Sequence, residues 1–262
     1  MQIKDRTFIL SGGASGLGKG CVEEIVNAGG HVAVLDLGDE AVGQALEKEF
    51  GSAVKFFPCN VLHTEQIAKA VQGAVSWVKE TGKQLGGVIP AAGVALPATT
   101  LDRHGNALDL DGVDFVLGVN LRGVIDLIRQ SVVHIAKVDP VGPDGERGVV
   151  IMVSSSSAFD GQYGQVSYAA TKGAVASMAL PMSRDLARHG IRVVAVAPSM
   201  FVSNMTKMMS DKVKKSLEDT FVFPKRAGNA SEFSGLVKHI IENPMLNGAV
   251  IRLDGGSRPS KI

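Results

Sequence analysis

The 262-residue sequence predicts one α/β domain, a doubly wound parallel sheet of seven strands with helices on both faces. Three observations predict it. Short, β-rich apolar runs recur along the whole chain, the mark of strands covered on both faces. Longer amphipathic stretches at helical period separate them. Each stretch is long enough to return the chain over the sheet as a crossover, which makes successive strands parallel.

The first strand is read at 7–10, and the chain turns through Ser11 to Gly18 into a helix carried by Cys21, Val22, Ile25 and Val26. The second, third and fourth strands follow at 31–36, 54–57 and 87–90, with helical patterns between them. A Gly-, Pro- and Asp-rich loop at 94–112 precedes an apolar helix over 116–128, and a second such loop at 139–148 leads to the fifth strand at 149–154. A long helical pattern then carries Tyr168 and runs to about His189, and strands at 192–197 and 250–253 complete the sheet. Neither loop reads as a linker, so 1–262 is taken as one domain, and the first loop lies where a substrate can be gripped.

Bulk composition narrows the function classes. Lys plus Arg number 27 against 26 for Asp plus Glu, a formal net charge of +1, so no overall field attracts nucleic acid or an anionic membrane. Apolar stretches such as 148–153 and 191–197 are far short of the ~20 residues of a membrane span. Cys21 and Cys59 are too few for a disulfide framework and read as buried thiols. The six histidines are scattered, and none pairs with another His or Cys at ligand spacing, so no metal is expected. Residues 1–6 run straight into the first strand, leaving no room for a signal or transit peptide; a cytoplasmic protein is expected, with a processed form in the mitochondrial matrix as the alternative.

Ser11-Gly12-Gly13-Ala14-Ser15-Gly16-Leu17-Gly18 lies between a strand and a helix, and that context gives the glycines meaning. They allow a tight turn and close approach of backbone to a pyrophosphate, whose charge the helix N-terminus attracts. Asp36 ends the second strand, where a carboxylate accepts hydrogen bonds from adenosine ribose hydroxyls and repels a 2′-phosphate. Leu37 and Gly38 follow without a cation, so NAD is expected over NADP. Asn60-Val61, at the end of the third strand, can meet the adenine edge, and Asn60 is equally a turn residue.

Tyr168 and Lys172 are four apart at the start of a helix and share a face. An ammonium beside a phenol favours phenolate, so a group with an ordinary pKa of about 10 can exchange protons nearer neutrality, as a base for alcohol oxidation or an acid for ketone reduction. The preceding strand ends in Ser154 to Ser157, and a hydroxyl there can hold a substrate oxygen; Ser155 is the choice, with strand-end turn roles for the others. Asn120 is an unfavourable residue inside an apolar helix, and its amide can hold a backbone carbonyl or a water beside Lys172. Glu23 and Glu24 read as charge in an early helical turn.

Taken in order, the Gly-rich turn, Asp36, Asn120, Ser155, Tyr168 with Lys172, and Ala197-Pro198 resemble the short-chain dehydrogenase/reductase family across the whole chain. The resemblance implies a Rossmann-like fold and a tetrad of Asn120, Ser155, Tyr168 and Lys172, with Lys172 also holding the nicotinamide ribose. It extends the expected NAD contacts from Ser11, Gly12, Ser15, Gly16, Leu17, Gly18, Asp36, Asn60 and Val61 to Ala92, Gly93, Tyr168, Lys172, Pro198, Phe201 and Ser203. Runs at 158–162, 184–187, 240–244 and 250–255 look like one branch of that family, the type-2 3-hydroxyacyl-CoA dehydrogenases. That branch implies NAD, a homotetramer, and oxidation of 3-hydroxyacyl-CoA or hydroxysteroid substrates.

Some positions depart from the family pattern. Pro90 stands for an Asn whose amide usually supports the sheet, and Ser199 for a Gly beside the nicotinamide pocket. The resemblance also implies a substrate lid over 200–222, where Met200, Phe201, Met205, Met208 and Met209 cluster, with a plain core-facing helix as the alternative. Lys207, Lys212, Lys214 and Lys215 there are read mostly as a solvated face. Gln162, Gln165 and Met205 are the expected substrate contacts, with a turn role as the alternative for the two glutamines. Two other functions share these residues: an NADPH-dependent 3-oxoacyl-thioester ketoreductase, which Asp36 opposes, and a dinucleotide-binding sensor or scaffold without turnover, which has no need of the tetrad.

Overall fold

A computed structural model describes residues 1–203, 206 and 211–258, and of 211 and 212 the backbone alone. The strands are β1 (Thr7–Ser11), β2 (His31–Asp36), β3 (Val54–Pro58), β4 (Leu85–Pro90), β5 (Gly148–Val153), β6 (Ile191–Pro198) and β7 (Val250–Leu253). They form one parallel sheet in the order β3-β2-β1-β4-β5-β6-β7. Around it lie α1 (Gly16–Asn27), α2 (Glu40–Phe50), α3 (Thr64–Thr81), α4 (Leu110–Leu117), α5 (Val124–Ile135), α6 (Val166–Ala187), α7 (Asp211–Glu218) and α8 (Ala230–Glu242).

Successive side chains of a strand point to opposite faces, and each strand feeds two cores. Ile9, Val88, Val150 and Val193 pack with Ile67, Val71, Leu127 and Val175 on one face. Phe8, Leu10, Ile151 and Val194 pack with Val22, Ile25, Phe233 and Val237 on the other. The order reverses direction at β1, which lies between β2 and β4, so the chain leaves a crevice above the carboxyl ends of these strands. The predicted doubly wound sheet is the observed one.

Differences are local. The helix expected over 116–128 is α4, a π-helical turn at Gly118–Gly123, and α5. Asn120 causes no break in the chain but sits in that wider turn, where its amide reaches outside the helix. The 94–112 loop gives way to α4 at Leu110, and it is pinned by bridges between Leu101 and Ala107 and between Ala98 and Gln165. Glu23 and Glu24 lie beyond the first turn of α1, and Glu24 meets Lys238 of α8 at 3.3 Å. Both cysteines are free and buried.

The opposite end of the sheet is held by a buried charge network. Arg192, at the start of β6, donates to Glu146 Oε1 at 2.8 Å and to the carbonyls of Ile240, Ile241 and Leu246 at 2.8, 2.8 and 2.9 Å. The Met1 ammonium lies 2.7 Å from the other Glu146 oxygen. One guanidinium thereby satisfies carbonyls left open at the carboxyl end of α8 and fixes that helix to the sheet.

Candidate active site

At the carboxyl ends of the strands is a cleft of about 720 Å³, within the range of small-molecule sites. Its nucleotide end is built by the turn from β1 into α1. Gly12 has φ +74°, and a Cβ there would lie 2.7 Å from Ala92 N, so the turn touches the end of β4. Gly18 permits a closer approach still: a Cβ would lie 2.1 Å from the Gly12 carbonyl oxygen. Ser15 is the N-cap of α1 and makes no side-chain capping bond, which leaves the first-turn amides of Gly16, Leu17 and Gly18 open toward the cleft.

Asp36 faces this turn. Its Oδ2 accepts from Ala14 N–H at 2.9 Å and its Oδ1 from Leu37 N–H at 2.7 Å, which fixes the carboxylate at the cleft rim. Asn60 and Val61 also line the cleft, and Asn60 Oδ1 is used by Leu62 N–H at 3.0 Å, the turn role. Uncapped helix amides beside a fixed carboxylate suit the pyrophosphate and ribose of a dinucleotide, so the residues present fit one.

The loss of an Asn at Pro90 is compensated by backbone and by Ser11. Ala91 N–H donates to the Ser11 carbonyl at 3.1 Å and Ala92 N–H to Ser11 Oγ at 3.3 Å, tying β4 to β1 past the proline. Ala92 and Gly93 form cleft wall, as do Pro198, Ser199, Phe201 and Ser203. Phe201 is mostly core, buried edge-to-face on Phe233 with centroids 6.2 Å apart. Ser203 N–H donates to Thr206 Oγ1 at 2.9 Å, a residue the sequence reading missed.

At the other end of the cleft the tetrad residues come together. Lys172 is buried at 5% exposure, and its Nζ donates to the Val153 carbonyl at 2.8 Å and lies 5.6 Å from the Tyr168 ring centroid. Asn120 clamps the backbone of Val94 from both sides, accepting its N–H and donating to its carbonyl, each at 2.8 Å. Gly93 packs on both groups: a Cβ there would be 3.3 Å from Asn120 Oδ1 and 3.6 Å from Lys172 Nζ. The carbonyl expected for Asn120 is that of Val94.

The serines separate by their partners. Ser154 Oγ donates to the Lys172 carbonyl at 2.7 Å, which ties β5 to α6 and removes that hydroxyl from the cleft's chemistry. Ser155 Oγ caps a short 3₁₀ turn by accepting from Ser157 N–H at 3.1 Å, and also hydrogen-bonds Tyr168. Gln165 Oε1 accepts from Gln162 N–H at 3.0 Å, which gives the pair a turn role at the edge of the site. Met205, Lys207, Met208 and Met209 lie outside the described residues, as does the side chain of Lys212. Phe115, Val119, Val94 and Ala95 extend an apolar wall that the sequence reading did not name, although Phe115 and Val119 follow helical spacing.

Electrostatics corrects one expectation. Burial pushes the Tyr168 phenol up, opposed by its Ser155 hydrogen bond, and burial brings the Lys172 ammonium down to about 8. Burial disfavours both charges, so the four-residue spacing does not by itself bring the phenol down. A consequence for stability follows. Lys172 titrates near 8 folded and 10.5 unfolded, so between these values the unfolded chain binds more protons and stability rises with pH. Below pH 8 the burial costs about 3 kcal/mol in full. Lys172→Met is expected to raise the melting temperature of the ligand-free protein at pH 7 and to flatten its rise toward pH 10, read by calorimetry.

Comparison with known proteins matches this arrangement. The family model described as short chain dehydrogenase matches residues 6–214. The chain belongs to that family. It is an oxidoreductase acting on CH–OH groups. It is 37% identical to the 3-hydroxyacyl-CoA dehydrogenase type-2 of Drosophila melanogaster, covering 98% of this chain and 99% of that one. The Homo sapiens protein of the same name is also 37% identical, over 98% and 97% of the two chains. A crystal structure of 3-hydroxyacyl-CoA dehydrogenase type-2 from Mycobacterium avium superposes with a TM-score of 0.90 at 29% identity, covering 98% of each chain. A Brucella melitensis 3-ketoacyl-(acyl-carrier-protein) reductase complexed with NADH shares the fold, with a TM-score of 0.81 at 21% identity over 97% of this chain and 99% of that one. No helix among the described residues is long and apolar enough to cross a membrane.

Proposed function

We propose that this dehydrogenase oxidises the secondary alcohol of 3-hydroxyacyl-CoA or a related hydroxysteroid, with NAD as hydride acceptor. The observation that carries the reading is the meeting of Tyr168, Ser155, Lys172 and Asn120 at one end of a cleft whose other end offers uncapped helix amides and Asp36. The name and full-length likeness of the type-2 relatives supply the substrate class.

Bound NAD supplies the electrophilic nicotinamide carbon that accepts a hydride. The chain's residues do the rest. Ser155 Oγ holds the substrate oxygen and Tyr168 Oη takes the hydroxyl proton; with NAD bound as hydride acceptor the balance would be alcohol plus NAD to ketone, NADH and one proton. Lys172 adds positive charge below the site and holds the nicotinamide ribose, and Asn120 keeps the Val94 backbone and the lysine pocket in register. Gly12, Ser15, Gly16, Leu17 and Gly18 take the pyrophosphate, with Ser11, Ala92 and Gly93 shaping the floor beneath it. Asp36 takes the adenosine ribose, Asn60 and Val61 lie at the adenine, and Pro198, Phe201 and Ser203 wall the nicotinamide. Gln162 and Gln165 are proposed on the substrate side.

Asp36 also supports NAD over NADP, since a carboxylate held at the cleft rim repels a 2′-phosphate and Leu37 beside it is 72% exposed and uncharged. The one domain, the homotetramer and a cytoplasmic or mitochondrial-matrix setting belong to the same reading. Leu110, Ile125 and Val133 leave apolar surface along α4 and α5 for an assembly of copies. The test is a panel of 3-hydroxyacyl-CoAs, hydroxysteroids and simple secondary alcohols, each with NAD and NADP. NADH formation greatest with a 3-hydroxyacyl-CoA or hydroxysteroid is expected; a clear preference for NADPH with 3-oxoacyl thioesters would reverse the reading.

A further inference from the structure

Two stretches of chain, the turn after Ser155 and residues 220–223, are anchored to one short segment that does not line the cleft, residues 252–257 at the end of β7. The first stretch is the turn after Ser155. Ala158 N–H donates to the Ser155 carbonyl at 3.0 Å and Asp160 N–H to the Ser156 carbonyl at 2.9 Å, so Asp160 closes the turn that aims the Ser155 hydroxyl. Arg252 grips this end twice: its guanidinium lies 5.2 Å from the Phe159 ring centroid and Nη2 pairs with the Asp160 carboxylate. Its Nε pairs with Asp254 at 2.6 Å.

The second stretch is 220–223. Ser199 N–H donates to the Leu253 carbonyl at 3.1 Å, and Val222 and Phe223 N–H donate to the Gly255 carbonyl at 3.1 and 3.2 Å. Thr220 and Ser257 share a hydroxyl contact of 2.6 Å. Residues 220–223 therefore rest on the turn that Asp254 holds by accepting from Gly256 N–H at 3.0 Å, while Ser199 continues the pairing of β6 with β7.

We propose that Arg252 is a positioning residue of the active site, linking the Ser155 turn through Phe159 and Asp160 to the turn at Asp254 on which Thr220, Val222 and Phe223 rest. The proposal rests on the role of Ser155 given above. Stacking on a ring while bridging two carboxylates needs a planar fork of donors, which Lys cannot supply. Small displacement of a positioned group costs ~10²-fold in rate, so the effect is expected in turnover of the alcohol and not in the hold on the dinucleotide.

Four variants, Arg252→Met, Arg252→Lys, Asp160→Asn and the double variant Arg252→Met with Asp160→Asn, are assayed beside Ser155→Ala for kcat, KM, melting temperature and NADH affinity by fluorescence. The expected result is a ~10- to 100-fold loss of kcat/KM in Arg252→Met and in Asp160→Asn, NADH affinity within twofold of the parent, little rescue by Lys, and no further loss when the two changes are combined. Unchanged kcat/KM in folded Arg252→Met and Asp160→Asn, or a loss matched by an equal loss of NADH affinity, overturns the proposal while a defective Ser155→Ala leaves the functional reading standing. Full activity in Ser155→Ala overturns the role of Ser155 and this proposal with it.

Discussion

Replacing Tyr168 with Phe is expected to lower kcat for alcohol oxidation by 10²- to 10⁴-fold, with NADH binding retained. The substitution deletes one oxygen from a half-buried ring and leaves its packing against Lys172 in place. What is lost is the only phenol among the described residues that line the cleft, and with it the base proposed to take the carbinol proton. The loss corresponds to about 3–5 kcal/mol of barrier. Burial holds the phenol up, so the parent enzyme's oxidation rate is expected to climb with pH as phenolate forms. Tyr168→Phe is expected to lose that climb along with its rate. Stopped-flow NADH formation over a pH series measures both.

Arg192→Met is expected to destabilise the fold by about 3–5 kcal/mol, because it breaks a buried pair and leaves Glu146 with the Met1 ammonium alone. It also orphans the carbonyls of Ile240, Ile241 and Leu246 at the end of α8. In a chain of this size the melting temperature is expected to fall by roughly 10 °C. The site is at the start of β6, whereas the cleft is at its other end, and kcat at 20 °C is expected to survive in the folded fraction. Calorimetry with a parallel rate measurement separates the two readouts.

The strands were legible because each apolar run must satisfy two cores at once, as Phe8 and Ile9 do from opposite faces of β1. The nucleotide end was legible for a related reason: the glycines at 12 and 18 tolerate no Cβ in this turn, so their chemistry is written into residue type. Ser155 was harder to choose from its neighbours. Only the tertiary contact of Ser154 with the Lys172 carbonyl shows which hydroxyl is already spent.

Lys172 shows where spacing misleads. Four residues on a helix place an amine near a phenol, but the sign of the shift depends on how much water both have lost, which spacing does not encode. Asn120 was recognisable as out of place in an apolar stretch, while the π turn that carries it and its grip on Val94 arise from packing between distant segments. Arg252 gave no local signal either, since Asp160 lies on another part of the chain.

The central claim is direct hydride transfer from a substrate carbinol carbon to a nicotinamide held in this cleft. A 3-hydroxyacyl-CoA carrying deuterium at C3 is incubated with NAD and the protein, and the recovered NADH is weighed by mass spectrometry. One deuterium per NADH is the predicted result. NADH formed without the label, or no NADH from any deuterated secondary alcohol under conditions where the dinucleotide binds, would contradict it.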